Sequence, residues 1–301
     1  MIELLKNTQI NFMGKKNIAL LLSAIVSIIG IIGIVQIARG SANLGIDFAG
    51  GTVVQLKFNK NVDLSQVRKA LETDGIRNFE LQDMPTIQKV SITIKQEEDT
   101  QYSDKVINAL RAGLKDTDIT VDSVSTIGPK VGKQLRIDAM WAIIAATVGI
   151  LIYVTWRFQF RFSIGATVAT FHDVLAVLAV FYVFGREMNL ILVTALLTIA
   201  GYSLTDTVVV FDRIRENLRK NIREPVEDVI NRSINEVLSR TIITSLTTFL
   251  SAAALFFFGG EVIHDFALAM LIGIIIGTYS SIFVASPVVL LWRGDRPLVK
   301  R

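Results

Sequence analysis

The sequence has no cysteine, and that absence excludes disulfide frameworks, thiolate catalysis and thiolate-bound metals. Histidine is nearly missing, with 2 in 301 residues, so His172 stands as a lone imidazole without companions at ligand spacing. Charge is scarce over long stretches. Hydrophobic residues make up 51% of the chain and gather into blocks far longer than the core elements of a soluble fold require.

Six blocks read as membrane spans: Asn17 to Ala38, Ala139 to Trp156, Ser163 to Phe184, Leu190 to Phe211, Thr241 to Phe258 and Phe266 to Trp292. Each approaches or exceeds the roughly 20 residues that cross about 30 Å of hydrocarbon as helix. The first outruns the roughly 7 to 15 apolar residues of a secretory signal and reads as a retained anchor. Lys and Arg in the short loops set the orientation. With the N-terminus inside, the internal segments hold Lys6, Lys15, Lys16, Arg157, Arg161, a cluster from Arg213 to Arg240, and a tail with Arg293, Arg296, Lys300 and Arg301. The short external loops offer Arg186. Both termini are thus expected in the cytoplasm, and the pI near 9.3 reflects this sidedness and contact with anionic lipids, with no need for nucleic acid.

The segmentation that follows is a cytoplasmic N-terminal stretch and first span over 1–38, and a polar external domain over 39–136. A five-helix bundle over 137–292 with a cytoplasmic loop at 212–240 comes next, then a tail at 293–301. In the polar domain, Thr52 to Phe58 and Lys89 to Lys95 alternate as half-buried strands, and "FELQDM" and "ITVDSVSTI" are shorter candidates. "DLSQVRKALETDG" predicts a helix with Asp63 as N-cap and Gly75 as stop. "SDKVINALRAGL" predicts a second, with Val106, Ile107, Leu110 and Leu114 on one face. Strand, helix, strand, strand, helix, strand is the ferredoxin-like order, so the fold class is a polytopic α-helical membrane protein with six transmembrane helices and one external α+β domain. This domain has no histidine and no clustered nucleophile and base. Its charges suit a solvated face, and an exposed sheet edge that receives an extended peptide is the alternative.

Asp206 stands out inside the fourth span, because a mid-bilayer carboxylate costs about 2.5 to 3.5 kcal/mol and is kept where it is paired, hydrated or used. Thr198, Tyr202, Asp206 and Arg213 share one helical stripe. Arg240 at the mouth of the fifth span, with Thr244, Thr247, Thr248 and Ser251 beyond it, offers a matching seam. The pair reads as a proton relay or as a static ion pair that fixes helix register. Asp173, on a face with Ala166, Ala169, Thr170 and Ala176, reads as a packing residue or a second relay site, with His172 beside it. Gly273, Gly277 and Ser281 form a small-residue packing face in the last span. After Pro225, Val226, Val229, Ile230, Ile234, Val237 and Leu238 make an apolar stripe expected to lie on the membrane surface, as is the N-terminal stretch. Gly45, Gly50 and Gly51 are expected to turn the chain from the first span into the first strand, with Gly128, Pro129 and Gly132 as the hinge back.

"LGIDFAGGT" (Leu44 to Thr52), "FHDV" (Phe171 to Val174), "TDTVVVFDRIREN" (Thr205 to Asn217) and "LSRTIITSLTTFLSAAALFFFGG" (Leu238 to Gly260) together resemble the SecF arm of the SecD/SecF family of protein-export membrane proteins, in the resistance-nodulation-division superfamily. The resemblance covers nearly the whole chain. It implies a non-enzymatic, cofactor-free inner-membrane subunit that pairs with SecD beside the SecYEG channel. There it would use the proton motive force to draw out preproteins after the push by SecA, with YidC as a further partner. It implies proton passage at the positions matching Asp206 and Arg240, with a further carboxylate from SecD. The rival readings are a half-unit of an exporter of small molecules or lipids on the same scaffold, and a purely structural assembly subunit.

Overall fold

The computed structural model describes residues 8–60, 62–77, 79–84, 88–95, 102–114, 117–158, 160–221 and 223–291. Lys6, Trp292 and the tail at 293–301 lie outside the described residues. Two compact units result, one of residues 43–139 with 187–190, the other of 1–42, 140–186 and 191–301.

In the first unit a single helical turn, α2 (Ile46–Ala49), leads into β1 (Gly51–Phe58). Then come α3 (Leu64–Thr73), β2 (Phe79–Met84), β3 (Lys89–Lys95), α4 (Tyr102–Gly113) and β4 (Ile119–Ile127). The sheet order is β2-β3-β1-β4 with every neighbouring pair antiparallel. Alternation explains the core: Val54, Leu56 and Phe58 from β1 and Val90, Ile92 and Ile94 from β3 turn to one face. Val67, Leu71, Val106 and Leu110 from the two helices meet them there. Asp63 caps α3 by accepting from the Ser65 amide at 2.8 Å. Gly75, at φ +78°, ends α3 in a left-handed turn, where Ile76 N–H returns to the Leu71 carbonyl at 3.1 Å. β4 is an edge strand with Val121 and Val124 exposed.

The second unit is helical. α1 (Lys16–Arg39), α5 (Pro129–Arg157, whose residues up to 139 belong to the first unit), α6 (Phe160–Val183), α7 (Leu190–Lys220, whose first residue belongs to the first unit), α8 (Val226–Phe258) and α9 (Glu261–Ser280) precede a π-helical turn at Ser281–Ala285 and α10 (Ser286–Leu291). Among the described residues six helical stretches are long and apolar enough to cross a membrane, the last running Ile263–Leu291 through the π turn. α8 holds 33 residues, about 50 Å of helix, and so overshoots about 30 Å of hydrocarbon.

The overshoot corrects the expectation of a stripe lying on the membrane surface. Val229, Ile230 and Ile234 are 0% exposed, in a core with Phe12 and Met13 of the N-terminal segment and Phe211, Ile214 and Leu218 of α7. The N-terminal segment is itself fastened to α8: the Ile10 and Met13 amides donate to Asn235 and Asn231, and Lys16 pairs with Glu227 at 2.8 Å. A helical stripe suits protein as well as lipid, and here protein covers it. The segment 212–220 likewise continues α7 as helix, with Arg213 and Asn217 reaching Glu236 of α8.

Candidate functional site

Asp206 lies in the second half of α7 and is buried, 8% exposed. Ser281 Oγ of the last span donates to its Oδ2 at 2.8 Å. Ser281 opens the π turn, where Ser286 Oγ donates to the Ser281 carbonyl at 3.1 Å and Pro287 brings no N–H, removing one regular helical bond. A wider turn here has a local cause in sequence, and it sits beside an ionisable side chain.

A second carboxylate lies close by. Asp173 is 0% exposed; its Oδ2 accepts from Ser203 Oγ of α7 and from Ser280 Oγ of α9, the latter at 2.8 Å, while His172 Nδ1 stands 3.0 Å from its Oδ1. The His172 ring tilts against Tyr279, centroids 6.3 Å apart. Tyr279 in turn donates to the Ala19 carbonyl of α1 at 2.9 Å. Four helices thus converge on a polar network in an otherwise apolar bundle, which satisfies buried polar groups as low-dielectric surroundings demand.

Arg240 is exposed on α8. It lies within coulombic reach of Asp206, yet forms no ion pair within 4.0 Å with any described carboxylate. The expected seam beyond it is not brought to Asp206: Thr244, Thr247, Thr248 and Ser251 return their hydroxyls to carbonyls of their own helix. It is Ser245 that faces α9, accepting from Thr278 at 2.7 Å. Thr198 is exposed and bonds back to the Thr194 carbonyl, and Tyr202 is half-buried, so the stripe through Asp206 passes from surface to interior. Gly273 and Gly277 do allow α7 and α9 to close up. A Cβ on Gly273 would meet Ile199 Cδ1 at 2.4 Å, and one on Gly277 would meet Ser203 Cβ at 3.2 Å.

The glycine-rich segment is tightly built. Gly50 and Gly51 take φ of +77° and +141°, and a Cβ on Gly50 would strike Pro129 Cα at 2.6 Å. Gly132 approaches Gly50 N, while Gly128 has open space beside it. Gly45 has an ordinary φ of −67° and is constrained by space, since its Cβ would lie 3.0 Å from Asn189 Cβ.

Ser203, Ser280 and Ser286 escaped the sequence reading. Serine is too common in membrane helices to stand out, and the one available signal was the doubled serine before a proline in "SSIFVASP". Among the described residues no cluster of three or more His, Cys, Asp or Glu side chains suits a metal ion.

A profile of the SecD/SecF C-terminal region, "Protein export membrane protein SecD/SecF, C-terminal", matches residues 106–295, and one of the SecD/SecF GG motif matches 43–62. The protein translocase subunit SecF of Thermodesulfovibrio yellowstonii is 57% identical with 100% of each chain covered. The SecF subunit of Calditerrivibrio nitroreducens is 43% identical over 98% of each. Among solved structures, SecDF of Thermus thermophilus, described as a translocon-associated membrane protein, superposes with a TM-score of 0.81 at 35% identity. The match covers 96% of this chain and 39% of that longer one. With matching profiles over most of its length and full-length relatives of one name, the chain belongs to the SecD/SecF family of protein-export membrane proteins, in its SecF branch.

Proposed function

We propose that the chain is the SecF-type half of a SecD/SecF pair that uses the proton motive force to promote preprotein translocation beside SecYEG, with Asp206 as the protonatable group and Arg240 as its counter-charge. The observation that carries the reading is Asp206 itself. It is a buried carboxylate with a hydroxyl donor and a cation in reach but not clamped to it, so either protonation state can be accommodated. A membrane potential supplies about 2.3 kcal/mol per charge per 100 mV, enough to bias two states a few kcal/mol apart. The Asp173 and His172 cluster serves as a secondary relay or packing group beside it.

In this reading residues 39–136 form an external ferredoxin-like domain, which the strand order β2-β3-β1-β4 supports. The termini and the 212–240 hairpin are cytoplasmic, in contact with anionic lipids, at an inner membrane where SecA-driven preproteins are substrates and YidC a further partner. SecD is the partner that the two-part Thermus chain suggests. An exporter of apolar compounds would call for an apolar pocket, whereas a cavity of about 600 Å³ beside α3 and α4 has a mixed lining, with Lys60, Lys69 and Asp74 beside Val62, Ala109 and Leu114.

The test is preprotein export in cells whose sole copy carries Asp206→Asn, which keeps size and hydrogen bonding and forbids ionisation. Precursor accumulation with normal membrane levels supports the reading. Normal export under a full gradient sinks it and leaves Asp206 a packing residue.

A further inference from the structure

The glycine-rich segment does more than turn the chain. Three bonds fasten it to the stretch just before α7: Met188 N–H donates to the Asn43 carbonyl at 2.8 Å, Gly45 N–H to the Met188 carbonyl at 3.0 Å, and Leu190 N–H to Asp47 Oδ2 at 2.9 Å. Leu44 and Met188, both buried, form a parallel bridge at its centre. The third bond is a helix cap supplied from a distant part of the sequence, since Leu190 is the first residue of α7 and its amide has no partner within the helix. A carboxylate at that end also meets the positive pole of the helix dipole.

The other end of the segment is equally fixed. Gly50 and Gly51 feed α2 directly into β1, the strand bonded on both sides in the sheet. The first end is tied to the sheet as well: Lys95, at the end of β3, donates to Asn43 Oδ1 at 2.8 Å and stands 3.8 Å from Glu187. The sheet, the glycine-rich segment and residues 187–190 therefore make one compact body, and α7 starts inside it. Asp206 belongs to the same helix, sixteen residues further along the chain.

We propose that Asp47 is a positioning residue, and that the segment Asn43–Gly51 is a clasp that stays closed through the working cycle and carries displacement between the sheet-bearing unit and the helix that bears Asp206. This rests on the reading of Asp206 as the coupling group. It assigns the glycine-rich motif a mechanical role: a loop free to flex would dissipate a movement, whereas a segment bonded at both ends transmits it.

Two kinds of variant test it, cutting the clasp and locking it. Leu190→Pro removes the donor while keeping the helix, because proline is favoured at the first helical position, and Asp47→Ala removes the acceptor. In both, amide exchange over the first turn of α7 speeds up about fivefold, the factor that about 1 kcal/mol of capping corresponds to. Export measured with and without the proton gradient then loses its gradient-dependent increment, at normal membrane levels. Because the sequence has no cysteine, a Leu44→Cys and Met188→Cys pair introduces the only disulfide, and oxidation should leave gradient-driven export intact.

Loss of export on oxidation, restored by reductant, would overturn the proposal, since the clasp would then have to open. Faster exchange with undiminished gradient-driven export in Leu190→Pro would also sink it, making the cap a local stabiliser. Asp206→Asn in parallel separates the two levels: if that variant exports normally the proton reading fails, and if it fails to export while the cut clasp works normally, only the clasp proposal falls.

Discussion

Ser280 and Ser281 are neighbours in the chain and answer to different carboxylates: Ser280 donates to Asp173 on α6, Ser281 to Asp206 on α7, each at 2.8 Å. One turn of the last span therefore touches both buried acids. The π geometry at Ser281–Ala285 and the Ser286 bond back to the Ser281 carbonyl hold that turn open. A change at Asp206 is felt one residue away from the anchor on Asp173.

Removing the anchor should cost stability first. Asp173→Ala strips Ser203 of its acceptor and His172 of its partner in a fully buried site, at about 1–3 kcal/mol per orphaned group, while Ser280 keeps its bond to the Gly277 carbonyl. Thermal unfolding of the detergent-solubilised protein should fall by several degrees, at about 2–4 °C per kcal/mol. Ser281→Ala should melt close to the parent while gradient-driven export declines. Wild-type melting in Asp173→Ala would mean the network contributes nothing.

The N-terminal segment should come loose when its asparagine clamp is removed. Asn235 both accepts from the Ile10 amide and donates to the Ile10 carbonyl, and Asn231 repeats the accepting contact one turn away at Met13. Replacing both with leucine removes these three bonds and the one from Asn231 Nδ2 to Asn11 Oδ1, and leaves the Lys16–Glu227 pair, a partly exposed ion pair worth about 0–1 kcal/mol. Limited trypsin digestion at Lys15 and Lys16 should accelerate about tenfold, equivalent to about 1.4 kcal/mol of lost protection. An unchanged digestion rate would show that Phe12 and Met13 hold the segment by burial alone.

Much of this architecture was readable in advance, and the parts that were not share a cause. The Asp63 cap and the Gly75 stop came from local chemistry, because a cap and a left-handed turn involve residues a few positions apart. Asp206 announced itself by its cost in hydrocarbon. The α8 stripe, by contrast, carries the same periodicity whether lipid or protein covers it, and its cover comes from Phe12 and Met13 more than two hundred positions away. The donor to Asp206 and the capping of Leu190 by Asp47 are likewise long-range, and serine or a single aspartate before a glycine pair carries no pattern that names its partner.

The Asp63 cap makes a pH prediction. The Ser65 backbone amide, and secondarily its hydroxyl, hold the Asp63 carboxyl below its ordinary value of 3.8. A depressed folded-state value means the stabilisation is present above the unfolded value and is lost as pH falls through the folded one. The NMR shift of the Ser65 amide should therefore titrate with a midpoint under 3.8, and Asp63→Asn should abolish the titration while keeping a cap. A midpoint at or above the ordinary value would show that the cap is not formed in solution.

The tightest steric prediction concerns Gly273. A methyl group there would sit 2.4 Å from Ile199 Cδ1, closer than carbon atoms can approach, with Cγ1 at 2.6 Å and Cγ2 at 2.9 Å behind it. Ile199 is 0% exposed, so Gly273→Ala forces α7 and α9 apart or pushes the side chain off its rotamer, at about 1–3 kcal/mol. Gly277→Ala meets Ser203 at 3.2 Å and needs a shift of only a few tenths of an ångström. Melting should therefore fall clearly for Gly273→Ala and little for Gly277→Ala. The double variant Gly273→Ala with Ile199→Ala should recover part of the loss, because the shortened side chain vacates the space the new methyl needs. If Ile199→Ala gives no recovery, the contact between these two helices is set elsewhere along their length.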